Sequence, residues 1–572
     1  MNIRVLPPEV SNQIAAGEVV ERPASVAKEL VENSLDAGAT DIRVEIRSGG
    51  RKSIRVRDNG HGIPAAGVET AFARHSTSKV RQADDLFDIH TLGFRGEALP
   101  SIAAISMVTL ITRAEGEEDG SLVQLEGGKI TAHQPQGSPS GTTVTVENLF
   151  FNTPARRKFL RSTATESAWI ASLISSYALA YPECRFTLIS DGRRALQSSG
   201  SGKLQDALVA VYGLDVSRQM LALPEDDEPI RVSGFISAPS LHRASRKYMT
   251  VFVNRRLVRD AMLNAAITQA YRSVVPTGRF PVVVLDLRVP ARDLDVNVHP
   301  AKTEVKFRDP NAVFQAVQRK ARRLLADEAP VAMAQHLSAG QTGTGVGAFS
   351  VGGQGALALG VQRAAPETGE GSVPLLDERM PTRLPVLRVL GQIHQTYIIA
   401  EGPDGLYLID QHTAHERVLL ERLRAQRARM SVPSQSLLEP VAVELTPEQQ
   451  AVVEEQAEAL AQLGFKLEPF GGNTWLARSI PEVLRGKDVV SALAEIIDNA
   501  RADRSELSWE DRILMYAACR GAVKAGDPLN LEEMRSLIRQ LEETDMSHTC
   551  AHGRPTVIRL SQAQLEREFG RR

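Results

Sequence analysis

Several separate stretches of the 572-residue chain carry side chains suited to chemistry. In SVAKELVENSLDAG, residues 25–38, a helical repeat of about 100° per residue puts Glu29, Asn33 and Asp36 within an arc of roughly 60°. Ala27, Leu30, Val31 and Leu35 cover the opposite side, so one face packs and the other offers carboxylate and amide groups. In the next stretch, DNGHGI, Asp58 is a carboxylate acceptor suited to an exocyclic amine, and Gly60 and Gly62 let backbone come close to a ligand. TLGFRGEAL sets Gly93 and Gly96 before a helix start, whose exposed N–H groups can hold phosphate, and this loop reads as a lid. Far downstream, Asp410, His412 and Glu416 lie where a strand enters a helix, Cys519 lies in AACRGAVKAGDPL, and Cys550 and His552 stand two apart. A thiolate and an imidazole beside carboxylates make a borderline-soft metal site, to which Zn²⁺ or Mn²⁺ is suited.

Each feature has an ordinary alternative. Glu29 and Asn33 also fit the solvated face of an amphipathic surface helix. Thr413 and Glu416 have the spacing of a capping box, and a lone cysteine is commonly inert core. SGSGKL at 199–204 is no P-loop, because Gln197 and Leu204 stand where that pattern needs Gly and Ser or Thr.

The elements that must position these groups can be read around them. Ser25 is a plausible N-cap and Gly38 a stop for the first helix. Ile42, Val44 and Ile46, a Gly49-Gly50 turn, then Ile54 and Val56 predict a β-hairpin. Near 205–230 the character changes, with PEDDEP followed by the strand-like YMTVFVN and FPVVVLDL, so the first lobe holds two domains. A Gly-rich stretch at about 330–385 reads as a flexible linker to a second lobe. Formal net charge is −2, so any nucleic-acid contact must come from local clusters such as Arg156, Arg157, Lys158 and Arg161, or Arg255, Arg256 and Arg259. Solvated surface is the ordinary reading of both clusters. Three scattered cysteines argue against a disulfide framework, and no apolar run reaches the roughly 18 residues of a membrane span. A cytoplasmic protein is expected.

The segments NQIAAGEVVERPASVAKELVENSLDAGAT, DNGHGI, ARHSTSK, TLGFRGEAL, LFFNTPARRKFL and DVNVHPAKTEVKF resemble the GHKL superfamily of ATPases, and within it the MutL family specifically. The resemblance implies a multidomain α/β chain. It would hold a Bergerat-type α/β sandwich ATPase domain at 1–205, a second α/β domain of ribosomal-protein-like βαβ type at 206–330, a linker at 331–385, and an α+β dimerisation and endonuclease domain at 386–572 with an inserted regulatory part near 434–505. It implies that Glu29 is the general base, that Asn33 holds Mg²⁺ with the phosphates of ATP, that Asp58 recognises adenine, and that Gly62, Gly93 and Gly96 shape the pocket. Lys302 would reach the terminal phosphate; Lys79 is a further phosphate candidate, with a solvated lysine as its alternative.

The C-terminal fragments resemble the endonuclease motifs of the same family, with Thr413 where Ala is usual. The implied ligands of Mn²⁺ or Zn²⁺ are Asp410, His412, Glu416, Cys519, Cys550 and His552, supported by Glu421 and Lys524, with Asp410 and Glu416 serving catalysis. QSLLEP at 435–440, from Gln435 to Pro440, resembles a docking segment for the replication sliding clamp; an edge strand ended by Pro440 is the alternative. The implied protein is a nucleoid-associated homodimer that binds DNA independently of sequence, answers to the mismatch-recognition protein MutS, and couples ATP-driven closure to strand nicking. An ATP-switched matchmaker without its own nuclease is the competing reading.

Overall fold

The computed structural model describes residues 16–17, 19–74, 76–77, 92–93, 96–224, 230–272, 274–276, 278–295, 305–337, 384–429, 432–503, 505, 507–524, 526–544, 547–550 and 554–569. Lys79, Lys302 and His552 lie outside the described residues. The chain forms two compact units, Met1–Ala326 with Leu423–Gly521, and Asp327–Arg422 with Ala522–Arg572.

The first unit begins with the expected hairpin. β1 (Asp41–Arg47) and β2 (Ser53–Asp58) pair antiparallel from Ile42↔Asp58 to Arg47↔Ser53. Ile42, Val44, Ile46, Ile54 and Val56 are all buried. Gly49 and Gly50 turn the chain at φ 64° and 80°. A side chain at Gly49 would sit 2.5 Å from the Thr163 carbonyl oxygen, so the turn also needs a bare backbone.

Six more strands complete the sheet: β3 (Met107–Arg113), β4 (Gly120–Glu126), β5 (Lys129–Gln136), β6 (Gly141–Glu147), β7 (Arg185–Ser190) and β8 (Arg193–Gln197). Their order is β5-β4-β3-β6-β2-β1-β7-β8. Only β1 and β7 run parallel. The helices Pro23–Asp36 and Thr163–Ala180 pack on this sheet and on each other, closing an α/β sandwich.

The first helix starts earlier than its sequence signals suggest. It runs Pro23–Asp36 with Arg22 as N-cap and Pro23 in its first turn, so Ser25 is inside it. Proline there needs no N–H partner and arrives with a helical φ. At the other end Gly38 (φ 71°) donates to Leu35 O at 3.0 Å and Ala39 donates to Ser34 O at 3.1 Å. This paired closure is a Schellman motif, and it stops the helix where glycine was expected to.

The next domain of this unit holds a five-stranded sheet in the order Arg256–Val258, Met249–Val253, Val283–Arg288, Arg231–Ser237, Met220–Ala222. Met249–Val253 and Val283–Arg288 are parallel, joined through the helix Ala261–Tyr271 in a β-α-β crossover. Residues 423–521 add a three-stranded antiparallel sheet, Ser434–Glu444, Thr474–Pro481 and Lys466–Gly471, with helices around it.

The second unit contains an antiparallel sheet ordered Arg388–Ile393, Tyr397–Gly402, Gly405–Asp410, Val557–Ser561. Its core combines Ile398, Ala400, Tyr407 and Ile409 with Ala414 and Val418 of the helix beginning at Gln411, and with Leu537, Ile538 and Leu541 of the helix Leu531–Glu542. The fold class is therefore multidomain α/β, as the sequence implied. Among the described residues no helix is long and apolar enough to cross a membrane.

Candidate functional site

In the first unit the polar groups gather where the Pro23–Asp36 helix meets the ends of β2, β3 and β6. Asp58, the last residue of β2, accepts from Gly60 N at 3.0 Å and Thr142 N at 3.1 Å through Oδ1, and from Ser34 Oγ at 2.7 Å through Oδ2. A carboxylate has about four lone-pair sites, so these three bonds fix its orientation and leave one acceptor site on Oδ2. Gly62 follows at φ 70°, where a Cβ would lie 2.1 Å from Arg113 O. Backbone therefore approaches backbone here, which only a residue without a side chain allows.

Glu29, Asn33 and Asp36 are each half-buried on the helix, in keeping with the face read from periodicity. Asp36 clasps the glycine loop, accepting from Leu92 N at 2.8 Å and Gly93 N at 3.0 Å. Gly96, at φ 63°, precedes the helix Ala98–Ala104, and a Cβ on it would meet Ser76 O at 2.5 Å. Glu29 Oε1 contacts Lys28 Nζ at 3.1 Å, and the same ammonium contacts Glu32 Oε2 at 3.0 Å. Burial opposes the Lys28 charge, but Glu32 and Glu29 outweigh it and raise its pKa above the usual lysine value.

Periodicity missed several of these participants. Ser34 and Glu32 are buried polar residues on the face assigned to packing or left unassigned, and Thr142 and Tyr177 come from distant segments. The i,i+4 spacing of Lys28 and Glu32 is the one local signal; nothing local marks Ser34, Thr142 or Tyr177.

In the second unit Asp410 ends a strand and caps the next helix. Its Oδ1 accepts from His412 N at 2.9 Å and Thr413 N at 3.1 Å, while Thr413 Oγ1 donates back to Asp410 O at 3.2 Å. The capping-box alternative for Thr413 and Glu416 is thus not how this helix starts; Asp410 performs the capping. His412 Nδ1 meets Val523 O at 2.7 Å, and its Nε2 lies 3.3 Å from Glu416 Oε1. Hydrogen bonding to Glu416 is the main reason the His412 pKa is raised.

Glu416 is buried, and so is the adjacent Arg417, whose guanidinium donates to Thr549 O at 2.6 Å, Cys550 O at 2.9 Å and Glu421 Oε1 at 2.9 Å. Arg417, another residue the motifs did not single out, ties the helix to the buried Cys550 segment. Lys524 closes the facing loop through its backbone, donating to Asp527 at 2.8 Å and accepting from Gln411 at 3.0 Å. Cys519 is half-buried on the helix Trp509–Gly521 of the first unit. None of the three cysteines is in a disulfide. Among the described residues no group of three or more His, Cys, Asp or Glu converges on one point.

Two surface features bear on partners. In the strand Ser434–Glu444 the ladder to Thr474–Pro481 is interrupted between Ser436 and Val441, and Leu438 is fully exposed at 101%. In the second unit Val386, Leu390, Tyr397 and Ile558 are exposed apolar residues on or beside the sheet. Of the basic clusters, Arg157, Lys158, Phe159 and Arg161 are exposed around the helix Pro154–Lys158, whereas Arg255 pairs with Glu183 and lies over the Tyr181 ring.

Three family models match the chain: histidine kinase-, DNA gyrase B- and HSP90-like ATPase over 21–149, DNA mismatch repair protein, C-terminal domain, over 208–326, and MutL C terminal dimerisation domain over 390–529. The chain is 39% identical over 643 residues to the DNA mismatch repair protein MutL of Koribacter versatilis, covering 100% of this chain and 99% of that protein. To the protein of the same name from Desulforudis audaxviator it is 42% identical over 574 residues, covering 100% and 99%. Among solved structures, the Aquifex aeolicus MutL ATPase domain complexed with ADP is 33% identical, covers 48% of this chain and 93% of that one, and has a TM-score of 0.37.

Proposed function

This chain belongs to the MutL family of DNA mismatch repair proteins, with the family's ATPase and C-terminal dimerisation domains, and from that premise we propose that it couples ATP-driven closure on DNA to strand nicking by its own C-terminal half. Asp58 accepts from the exocyclic amine of adenine at its remaining lone pair, and Gly62 lets its loop close against the Arg113 backbone beside that carboxylate. Glu29 orients and deprotonates the attacking water. The loop held by Asp36 at Leu92 and Gly93 closes over the phosphates, with Gly96 allowing its turn and Lys79 and Lys302 as further phosphate partners. Oxygen donors such as the Asn33 amide suit Mg²⁺, which with the phosphates would offset charge developing in phosphoryl transfer.

The nicking half of the reading rests on one observation, the His412–Glu416 pair with His412 Nδ1 on the Val523 carbonyl. The Val523 carbonyl takes the Nδ1 proton and fixes the ring with Nε2 on Glu416, so release of the Nε2 proton would leave that nitrogen and the carboxylate as adjacent metal ligands. Asp410, His412, Glu416, Cys519, Cys550 and His552 would hold Mn²⁺ or Zn²⁺, which when bound polarises a phosphodiester and activates water. Arg417 keeps the Cys550 segment against the helix. The matchmaker reading is favoured by a different observation, that the described donors form no group of three and Asp410 already caps a helix.

For partners, exposed Leu438 outside its ladder supports docking of residues 435–440 on a sliding clamp, and the exposed apolar residues of the second unit support a homodimer. The run Arg156, Arg157, Lys158 and Arg161 is suited to DNA phosphates irrespective of sequence, with MutS as the source of the mismatch signal. Nicking of supercoiled plasmid with Mn²⁺ decides between the readings. Activity lost on Asp410→Asn but kept on Glu29→Ala supports an intrinsic nuclease, and a complete absence of nicking supports the matchmaker.

A further inference from the structure

Glu29 does not stand alone on its helix. Neighbours at i and i+1 point about 100° apart, so Lys28 and Glu29 do not face each other by default. Their contact at 3.1 Å exists alongside a second anchor for the Lys28 ammonium, Glu32 Oε2 at 3.0 Å, one helical turn on. Glu32 is only 7% exposed, and a carboxylate taken from water in this way needs compensating partners. Its Oε1 receives the Tyr177 hydroxyl at 2.8 Å. Tyr177 comes from the Thr163–Ala180 helix, is buried, and stacks on Phe186 with ring centroids 6.5 Å apart. A continuous series of contacts therefore runs from the sandwich core to the carboxylate on the nucleotide face.

We propose that Tyr177, Glu32 and Lys28 form a positioning relay that holds one oxygen of Glu29 and thereby aims the other at the attacking water. The inference rests on the reading of Glu29 as the general base. A glutamate on a half-exposed helix face samples several rotamers, and productive proton abstraction needs one of them. Lys28 occupies Glu29 Oε1 and leaves Oε2 for water; Glu32 stops Lys28 from swinging to solvent; Tyr177 fixes Glu32 in turn. All three act through Glu29, so their loss should lower turnover without weakening nucleotide binding.

The test uses the full-length chain, with steady-state hydrolysis of MgATP and calorimetric ATP binding measured for each variant. Tyr177→Phe keeps the ring and removes only the hydroxyl. It should lower kcat by about 10-fold or more, since small misplacements of reacting groups carry penalties up to roughly 100-fold, with KM and affinity within about 2-fold. Lys28→Met should do the same, with thermal melting as the check that loss of the Glu32 partner leaves the domain folded, while Lys28→Arg should recover most of the rate because a guanidinium can bridge both carboxylates. Native kcat in both Tyr177→Phe and Lys28→Met overturns the relay, as does a loss of rate matched by an equal loss of ATP affinity. Glu29→Gln separates this from the underlying reading: native turnover there removes Glu29 as the base, whereas lost turnover with ATP still bound leaves the relay to be judged by the other variants.

Discussion

Replacing Asp58 by asparagine alters one atom at the centre of the candidate nucleotide site. Oδ1 accepts two backbone N–H groups, from Gly60 and Thr142, so the amide oxygen of the substituted side chain takes that place and the new NH₂ faces Ser34. The Ser34 hydroxyl also donates to Leu30 O at 3.1 Å, so it can turn fully to that carbonyl and accept from the amide. The fold should thus lose no more than about 1 kcal/mol, the size of one ordinary hydrogen bond. ATP loses more. The acceptor left for the adenine amine becomes a donor, and forfeiting a hydrogen bond to a charged group costs about 1.5–3 kcal/mol, or roughly 10- to 150-fold in Kd. Because guanine offers an acceptor at the equivalent ring position, GTP should lose less and the preference for ATP should narrow. Calorimetry with both nucleotides, with thermal melting as the control for folding, measures this. An Asp58→Asn protein that melts normally and binds ATP within about 2-fold of native would refute the assignment of Asp58 to the base.

Three further outcomes are expected. Gly62→Ala combines a left-handed φ of 70° with a Cβ 2.1 Å from Arg113 O, and should destabilise the ATPase domain by more than about 2 kcal/mol in chemical denaturation while abolishing ATP binding. Arg417→Met removes the guanidinium that donates to the Thr549 and Cys550 carbonyls and to Glu421; a loss of about 3 kcal/mol and faster labelling of the Cys550 thiol should follow, and unchanged labelling would show that Arg417 does not hold that segment. Burial raises the Glu166 pKa above its usual 4.5, and its Oε2 has no hydrogen-bond partner among the described residues, so Glu166 favours the fold while protonated and this contribution is lost as pH rises from 4.5 through the raised value. Glu166→Gln should therefore melt higher than native at pH 8, with the difference shrinking toward pH 4; a constant difference would show that ionisation of Glu166 is not involved.

The first helix and hairpin of this protein, and the motif residues of its candidate nucleotide site, are legible in local sequence. Alternation at Ile42, Val44 and Ile46 suffices for a half-buried strand, Gly49-Gly50 for its turn, and Gly38 for the helix stop, because side-chain period and left-handed φ are properties of a few neighbouring residues. The helix start was less legible, since Ser25 and Pro23 both carry N-terminal signals and the choice of Pro23 depends on what the preceding chain does. Tertiary structure alone decided which polar groups meet. The contacts of Asp58 with Thr142, Glu32 with Tyr177, His412 with Val523 and Arg417 with Cys550 span 84, 145, 111 and 133 residues of chain. Periodicity is blind at that distance. A hydrogen bond between remote segments is set by how strands register and helices dock, and a buried polar side chain shows its partner only when both are in place.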